Sequence, residues 1–384
     1  MQINKNLIVA LISITFIMQS CIYEYFPQTD KYEKFLVVYG MITTENGPHE
    51  ITIYKNKQIG ENSLDSAVQA IVSISDDAGN IIPLTEADDG RFLTPQTFAG
   101  KIGTKYKLNI VLQDGKKYES DYVELLDVQA ISELKAEQIT KQAAATTNAD
   151  EGYQFYISSG PGNSDQKYFK WEIDEDWEFD MPYIYDFYWD GKDLTSVSIP
   201  YQCYSQRHLR DFFISTTNNS QINYISNYPL HFVSKYDKLK YGYGIRVRQY
   251  ALSEFSYSFW ENVIENNNPN AINSKQQYPL VGNIKCISNP DEPVYGILEA
   301  SAVKTKNLQV RVLYVAPQTA DCGITKMVKS IDPQTLLLEP PSMITSHPPL
   351  QWGTGFLLVR DPKCIYCEAS DGTTIRPVYW ENNK

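Results

Sequence analysis

Cys21 is the residue whose setting points most directly to chemistry. Lys5 gives a positive start, Leu7 to Ile17 is an almost unbroken apolar run, and Met18-Gln19-Ser20 leads into the cysteine. An apolar stretch of that length is too short to span a bilayer and reads as a cleaved signal segment. The small Ser20 before Cys21 suits a lipoprotein peptidase, so Cys21 is expected to become an acylated first residue. Acyl chains would then tether the mature body, with a strength that grows with each buried methylene.

The other sulfurs offer a second chemistry. Cys203, Cys286, Cys322, Cys364 and Cys367 follow the signal segment, and a secreted chain meets an oxidising compartment where disulfides persist. An odd number leaves at least one thiol over. Cys364-Ile365-Tyr366-Cys367 has the two-residue spacing of redox and zinc motifs. A redox pair would open a helix within a βαβ pattern, and a zinc site would need a second such pair. Neither context surrounds it, so structural disulfides are expected, with Cys364 and Cys367 bonding each other or each reaching a distant partner. His49, His208, His231 and His347 stand apart with no ligand spacing. Zinc-protease, nucleophile-elbow, phosphate-loop and dinucleotide fingerprints are missing from the sequence, so no catalytic residue, metal or cofactor is assigned.

Trp171 to Trp189 has the most unusual local composition. Trp171, Ile173, Trp177 and Phe179 share one face of a period-2 pattern, and Glu172, Asp174, Asp176, Glu178 and Asp180 share the other. Only Glu175 breaks it. After Met181-Pro182 the aromatic face resumes at Tyr183, Tyr185, Phe187 and Trp189. The pattern predicts a hairpin with one packed and one solvated acidic face. If the rings were exposed together instead, Trp171, Trp177, Tyr185 and Trp189 would form a stacking platform for a glycan or peptide.

These groups must be held by strands. Tyr is frequent, with 28 residues, and Tyr, Val, Ile, Phe and Thr favour half-buried pleated surfaces. The fold class is mainly β. Phe35 to Ile42, His49 to Tyr54, Ala67 to Ser75, Gly90 to Leu93, Tyr106 to Leu112 and Lys117 to Ser120 read as strands. Turns such as Asp76-Asp77-Ala78-Gly79-Asn80 and Gln113-Asp114-Gly115-Lys116 separate them. They predict an immunoglobulin-like β-sandwich over 35–125. Residues 1–20 are the signal segment and 21–34 a tether. Residues 126–151 connect, with a strand from Leu134 followed by a loop, and 152–384 form a larger β-rich domain with one or two helices. One helix is clear: Ser253 caps it, Phe255, Phe259, Trp260, Val263 and Ile264 make its stripe, and Asn266 to Pro269 ends it. The formal net charge is −12, with no Lys/Arg-rich block, which argues against nucleic acid or anionic lipid as a partner.

Ordered segments across the mature chain resemble a known group. Leu36-Val37-Val38-Tyr39-Gly40, Arg246 to Ser253 leading into Tyr257 to Trp260, Pro279 to Ile284, Val294 to Ser301, Cys364 to Cys367 and Arg376 to Trp380 occur in order. With the Cys21 signal, the set is similar to the Bacteroidota lipoproteins grouped as domain of unknown function 4249. The resemblance implies an outer-membrane lipoprotein, often encoded beside a TonB-dependent receptor, with an immunoglobulin-like N-terminal domain. It supplies no catalytic residues. Ile22 rather than Asp follows Cys21, so an inner-membrane retention signal is missing; only Glu24 provides the acidic character that surface-exported members often carry there. The leading expectation is a non-enzymatic partner of a TonB-dependent barrel at the cell surface, in substrate capture or receptor assembly. Glycan or peptide binding on the aromatic platform is the alternative, and an envelope hydrolase the third reading.

Overall fold

The computed structural model describes residues 35–56, 69–88, 90–142, 149–161, 166–239, 241–267, 280–311, 326–346 and 354–383. Cys21, Cys322, His347, Pro269 and the signal and tether segments lie outside them.

The N-terminal strands are β1 (Leu36–Thr43), β2 (Glu50–Lys55), β3 (Ala70–Asp76), β4 (Ile81–Pro83), β5 (Thr85–Asp88), β6 (Arg91–Leu93), β7 (Lys105–Leu112), β8 (Lys117–Ser120) and β9 (Val123–Glu124). Their alternation does what period 2 requires: Tyr106, Leu108, Ile110 and Leu112 of β7 are buried and the residues between them are not. Two later strands, β19 (Ile284–Cys286) and β20 (Val294–Ser301), complete the two sheets. One sheet has the order β20-β1-β2-β6-β5 and the other β19-β8-β7-β3-β4, with β9 on β7. Leu36, Val38, Ile51, Ile53 and Phe92 of the first meet Val72, Ile74, Leu108 and Tyr118 of the second in the core.

The sandwich therefore does not end at residue 125. β20 lies parallel to β1, from Leu36↔Val294 to Thr43↔Ser301, and β19 pairs with β8. Gly296 permits the first contact. Its φ is +118°, and a Cβ there would fall 1.7 Å from the Val38 carbonyl oxygen.

The remaining strands are β10 (Ile131–Gln142), β11 (Ala149–Ser159), β12 (Tyr168–Asp180), β13 (Phe187–Trp189), β14 (Leu194–Ser196), β15 (Gln202–His208), β16 (Phe213–Thr216), β17 (Ile225–Ser234), β18 (Gly242–Leu252), β21 (Val303–Arg311), β22 (Lys326–Val328), β23 (Ser342–Thr345) and β24 (Phe356–Val359). Helix α1 spans Glu254–Asn267 and one helical turn spans Pro333–Leu336. The segment read as a connection with a strand from Leu134 holds the twelve-residue β10, which pairs along its whole length with β11. Its side chains beyond Leu134 are exposed or half-buried, so the apolar alternation that would have marked it is missing. Sheet β10-β11-β17 packs on sheet β15-β12-β18-β21 through Phe155, Ile157, Phe169, Trp171, Ile173 and Val247. A third sheet, β14-β13-β23-β24-β22, closes around Trp189, Leu336, Ile344 and Leu358.

Helix α1 begins where expected: the Ser256 N–H donates to Ser253 Oγ at 3.0 Å. Phe259 and Trp260 are buried, whereas Phe255 is exposed and does not join the packed stripe. Among the described residues no helix is long and apolar enough to cross a membrane.

Candidate functional site: a cleft over a buried lysine

Strand β12 sorts its side chains into two faces. Phe169, Trp171 and Ile173 point into the core, and Glu175, the residue that broke the pattern, goes in with them and is fully buried. It survives there because cations and a phenol surround it. Lys238 Nζ is at 2.6 Å, Arg207 Nε at 2.7 Å, and the Tyr243 hydroxyl donates at 2.8 Å. Burial works against the Glu175 carboxylate, but these partners outweigh it and hold its pKa below the usual value.

The other face was expected to be solvated and acidic; it is instead charge-matched. Antiparallel register sets Glu172 opposite Arg248 and Asp174 opposite Arg246 on β18. The Arg248 guanidinium reaches Asp174 at 3.2 Å and Glu172 at 3.8 Å. Asp176 is buried, accepts from the Tyr379 hydroxyl at 2.5 Å, and has its pKa raised chiefly by burial. A strand needs solvent on a face only when nothing covers it. Here the N-terminal sandwich covers one end and the C-terminal Tyr379 and Trp380 the other.

At the sandwich end lies Lys170, 5% exposed. Its three ammonium protons have three acceptors: the Tyr39 hydroxyl at 2.9 Å, Glu299 Oε2 at 3.2 Å and Glu172 Oε1 at 3.3 Å. Its Nζ also stands 4.7 Å from the Trp260 ring centre, and the Trp260 indole N–H donates to Glu299 at 2.9 Å. Burial disfavours the Lys170 charge, but Glu299, Tyr39 and Glu172 more than offset this and raise its pKa well above the ordinary lysine value. The Tyr39 hydroxyl is pushed up, first by burial, and stays protonated. Glu172, opposed by burial, is pulled down by Lys170 and Arg248. One lysine thus joins β1, β12 and β20.

Above Lys170 opens a cleft of about 480 Å³. Its first wall is the outer face of the sandwich: Val37 and Tyr39 of β1, Tyr54 of β2, Tyr295 and Ile297 of β20. The second is the 209–212 loop between β15 and β16 with Phe259, Trp260 and Val263 of α1. Phe212 stands half-exposed at the opening, its ring 5.2 Å from that of Trp260. Such a cavity is mostly apolar, contains a few fixed polar groups and lies between two packed units, which is where small-molecule sites concentrate. His208 reaches its rim, and His208 Nδ1 lies 2.9 Å from Asp174 Oδ1. The carboxylate can only accept, so Nδ1 carries the proton and Nε2 is the free ring nitrogen. Alongside this imidazole the described lining carries the hydroxyl groups of Thr52, Tyr39 and Tyr54.

The residues singled out from sequence fare differently. Trp171, Tyr185 and Trp189 are each at most 4% exposed and belong to three separate clusters. Together with Trp177 they do not make a shared platform. Trp171 donates its indole N–H to the buried Gln249, Trp189 to the Glu339 carbonyl, and the Tyr185 hydroxyl to the Cys364 carbonyl. Trp177 is half-buried beneath Lys238. Nor is there a hairpin from Trp171 to Trp189, because after Met181-Pro182 the chain leaves β12 and β13 pairs with β14 and β23.

Cys367 bonds Cys203 on β15, Cys364 is also disulfide-bonded to a partner outside the described residues, and Cys286 is a buried free thiol. The two-residue motif therefore serves two different crosslinks. No three His, Cys, Asp or Glu side chains converge as metal ligands among the described residues. Missed in the sequence were Lys170 and Glu299, and His208 stands there as one of four histidines without ligand spacing. Lys170 is recognisable in retrospect as a lone cation between Phe169 and Trp171, but two of its three acceptors, Tyr39 and Glu299, come from strands more than a hundred residues away.

A family model described as Domain of unknown function (DUF4249) matches residues 22–307. The chain belongs to this family. No curated protein matches it. Every residue lining the cleft, from Val37 to Ile297, falls inside the DUF4249 span, whereas the strands β22, β23 and β24 lie beyond it.

Proposed function

We propose that this chain is a non-catalytic lipoprotein of the Bacteroidota outer membrane, anchored by acyl chains on Cys21 with its body at the cell surface. There it captures a ligand in the cleft over Lys170 and works beside a TonB-dependent receptor. The observation that carries the reading is where the described chain enters the fold. The ring of Phe35 packs 4.4 Å from that of Tyr295, a wall of the cleft. Phe35 stands fourteen positions after Cys21, so the cleft stands within about 50 Å of an anchored sulfur even with the tether fully extended. A receptor barrel in the same membrane lies in reach of that distance. The charged groups of the cleft floor are consumed by one another, which suits holding a ligand better than transforming it.

Three measurements test this. An alkyne fatty acid fed to cells should label the protein and fail to label a Cys21→Ala variant. Protease added to intact cells should degrade the body. Purification in mild detergent should bring down a TonB-dependent barrel in stoichiometric amount. An unlabelled protein, or a clean monomer from the membrane fraction, would sink the proposal.

A further inference from the structure

Arg207-His208-Leu209-Arg210 sets three basic side chains within four residues of an otherwise acidic chain. The fold spends them unequally. Arg207 is committed to Glu175 at 2.7 Å and His208 to Asp174 at 2.9 Å. Arg210 is exposed, lines the cleft, and makes no ion pair with any described residue. The neighbouring Asp211 borders both this cleft and a second hollow that contains His231. One uncommitted guanidinium therefore remains at the rim of a cavity with aromatic walls.

Resting on the capture reading above, we infer that the cleft binds an amphipathic organic anion. Its apolar or aromatic body lies between Tyr54, Tyr295, Phe212 and Trp260, and its single carboxylate, sulfonate or phosphate is held by Arg210. The orientation follows from the floor. Lys170 has no proton left to donate, and Glu172 and Glu299 beneath it repel a second negative charge. The anionic head must stay at the opening, where the planar fork of a guanidinium can take two oxygens at once. The apolar body goes inward, against surfaces that would otherwise meet water.

The test uses the mature chain, residues 21–384, with Cys21→Ser so that neither acyl chains nor detergent compete. Two fluorescent probes share a naphthylamine ring system and differ in charge: anilinonaphthalene sulfonate and neutral N-phenylnaphthylamine. Both should bind one to one and quench tryptophan emission. Arg210→Gln should weaken the sulfonate probe about tenfold, the low end for a charge-assisted hydrogen bond at an exposed site. It should change the neutral probe by less than about twofold. Phe212→Ala should weaken both, and circular dichroism should report native folds. If Arg210→Gln leaves the sulfonate probe unchanged, the anion preference is overturned while capture in the cleft survives. If neither probe binds stoichiometrically, both the inference and the capture reading fall.

Discussion

Replacing Lys170 by methionine isolates what the buried ammonium contributes. Methionine keeps most of the stem, so packing against Tyr39 and Trp260 is largely retained and the charge alone is lost. Glu172 would still have the Tyr250 hydroxyl at 3.0 Å and Arg248 at 3.8 Å. Among the described residues, Glu299, 2% exposed, would keep only the Trp260 indole N–H. Removing one partner of a buried ion pair costs about 3–5 kcal/mol, because the other charge is left uncompensated. With Glu172 still partnered, the lower half of that range applies, about 3–4 kcal/mol.

The companion variant separates this from a packing loss. Lys170→Met with Glu299→Gln removes the stranded charge, while the new amide oxygen can still accept from Trp260. The double variant should then lose only about 1 kcal/mol, one ordinary hydrogen bond. Urea unfolding at pH 7.5, followed by tryptophan fluorescence and far-ultraviolet circular dichroism, measures both, with midpoints compared at constant slope. The reasoning fails if Lys170→Met costs under about 1 kcal/mol. It also fails if the double variant equals the sum of the singles within about 0.5 kcal/mol, as independent sites do.

Asp176→Asn should stabilise the fold at neutral pH. Burial raises the Asp176 pKa, so the folded state holds its proton more tightly than the unfolded one, and native stability falls as pH rises through that window. The advantage of the amide should fade in a thermal melt taken at acid pH. His49 and His231 are lowered by burial from 6.5; the unfolded chain then binds more protons below that value, and stability should drop as pH falls through 6.5, less steeply in His49→Gln. The Cys203–Cys367 crosslink spans 164 residues, and Cys203→Ser with Cys367→Ser should cost about 2–4 kcal/mol. Peptide mapping without reductant should recover that pair, and alkylation should reach Cys286 only after unfolding.

What the sequence made legible was local. The alternation of β7, the Asp76 to Asn80 turn and the Ser253 cap each depend on residues within one element, and each appears in the structure as read. Pairing between distant segments was not legible. Val294 to Ser301 stands out only as one of the segments that carry the family resemblance, and nothing in it says that it forms a strand beside β1. His208 looked solitary because its carboxylate partner is fixed by the β12–β15 register rather than by spacing in the chain. The acidic face of β12 misled for a related reason. Alternating charge implies solvent only if the opposing strand brings no cations, and Arg246 and Arg248 lie in β18, more than sixty residues on. The aromatic stretch was expected to pack on one face, with a shared exposed platform as the alternative; Trp171, Tyr185 and Trp189 are buried with internal hydrogen-bond partners, as core indoles and phenols are.

The cleft itself follows from that long-range pairing. β20 supplies Tyr295 and Ile297 to one wall and, through Glu299, an acceptor for the Lys170 ammonium beneath the cleft, and it can do so only while lying against β1. A sandwich cut at residue 125 would lose both β19 and β20, exposing the free edge of β1, a hazard that strands normally avoid by pairing. It would also leave Tyr39 facing water in place of Lys170. The two β units are therefore joined by backbone through β20 and by charge through Lys170, with the cavity between those joints. Any ligand that fills the cavity touches both units at once, so its binding energy adds to the cohesion that Lys170 already provides.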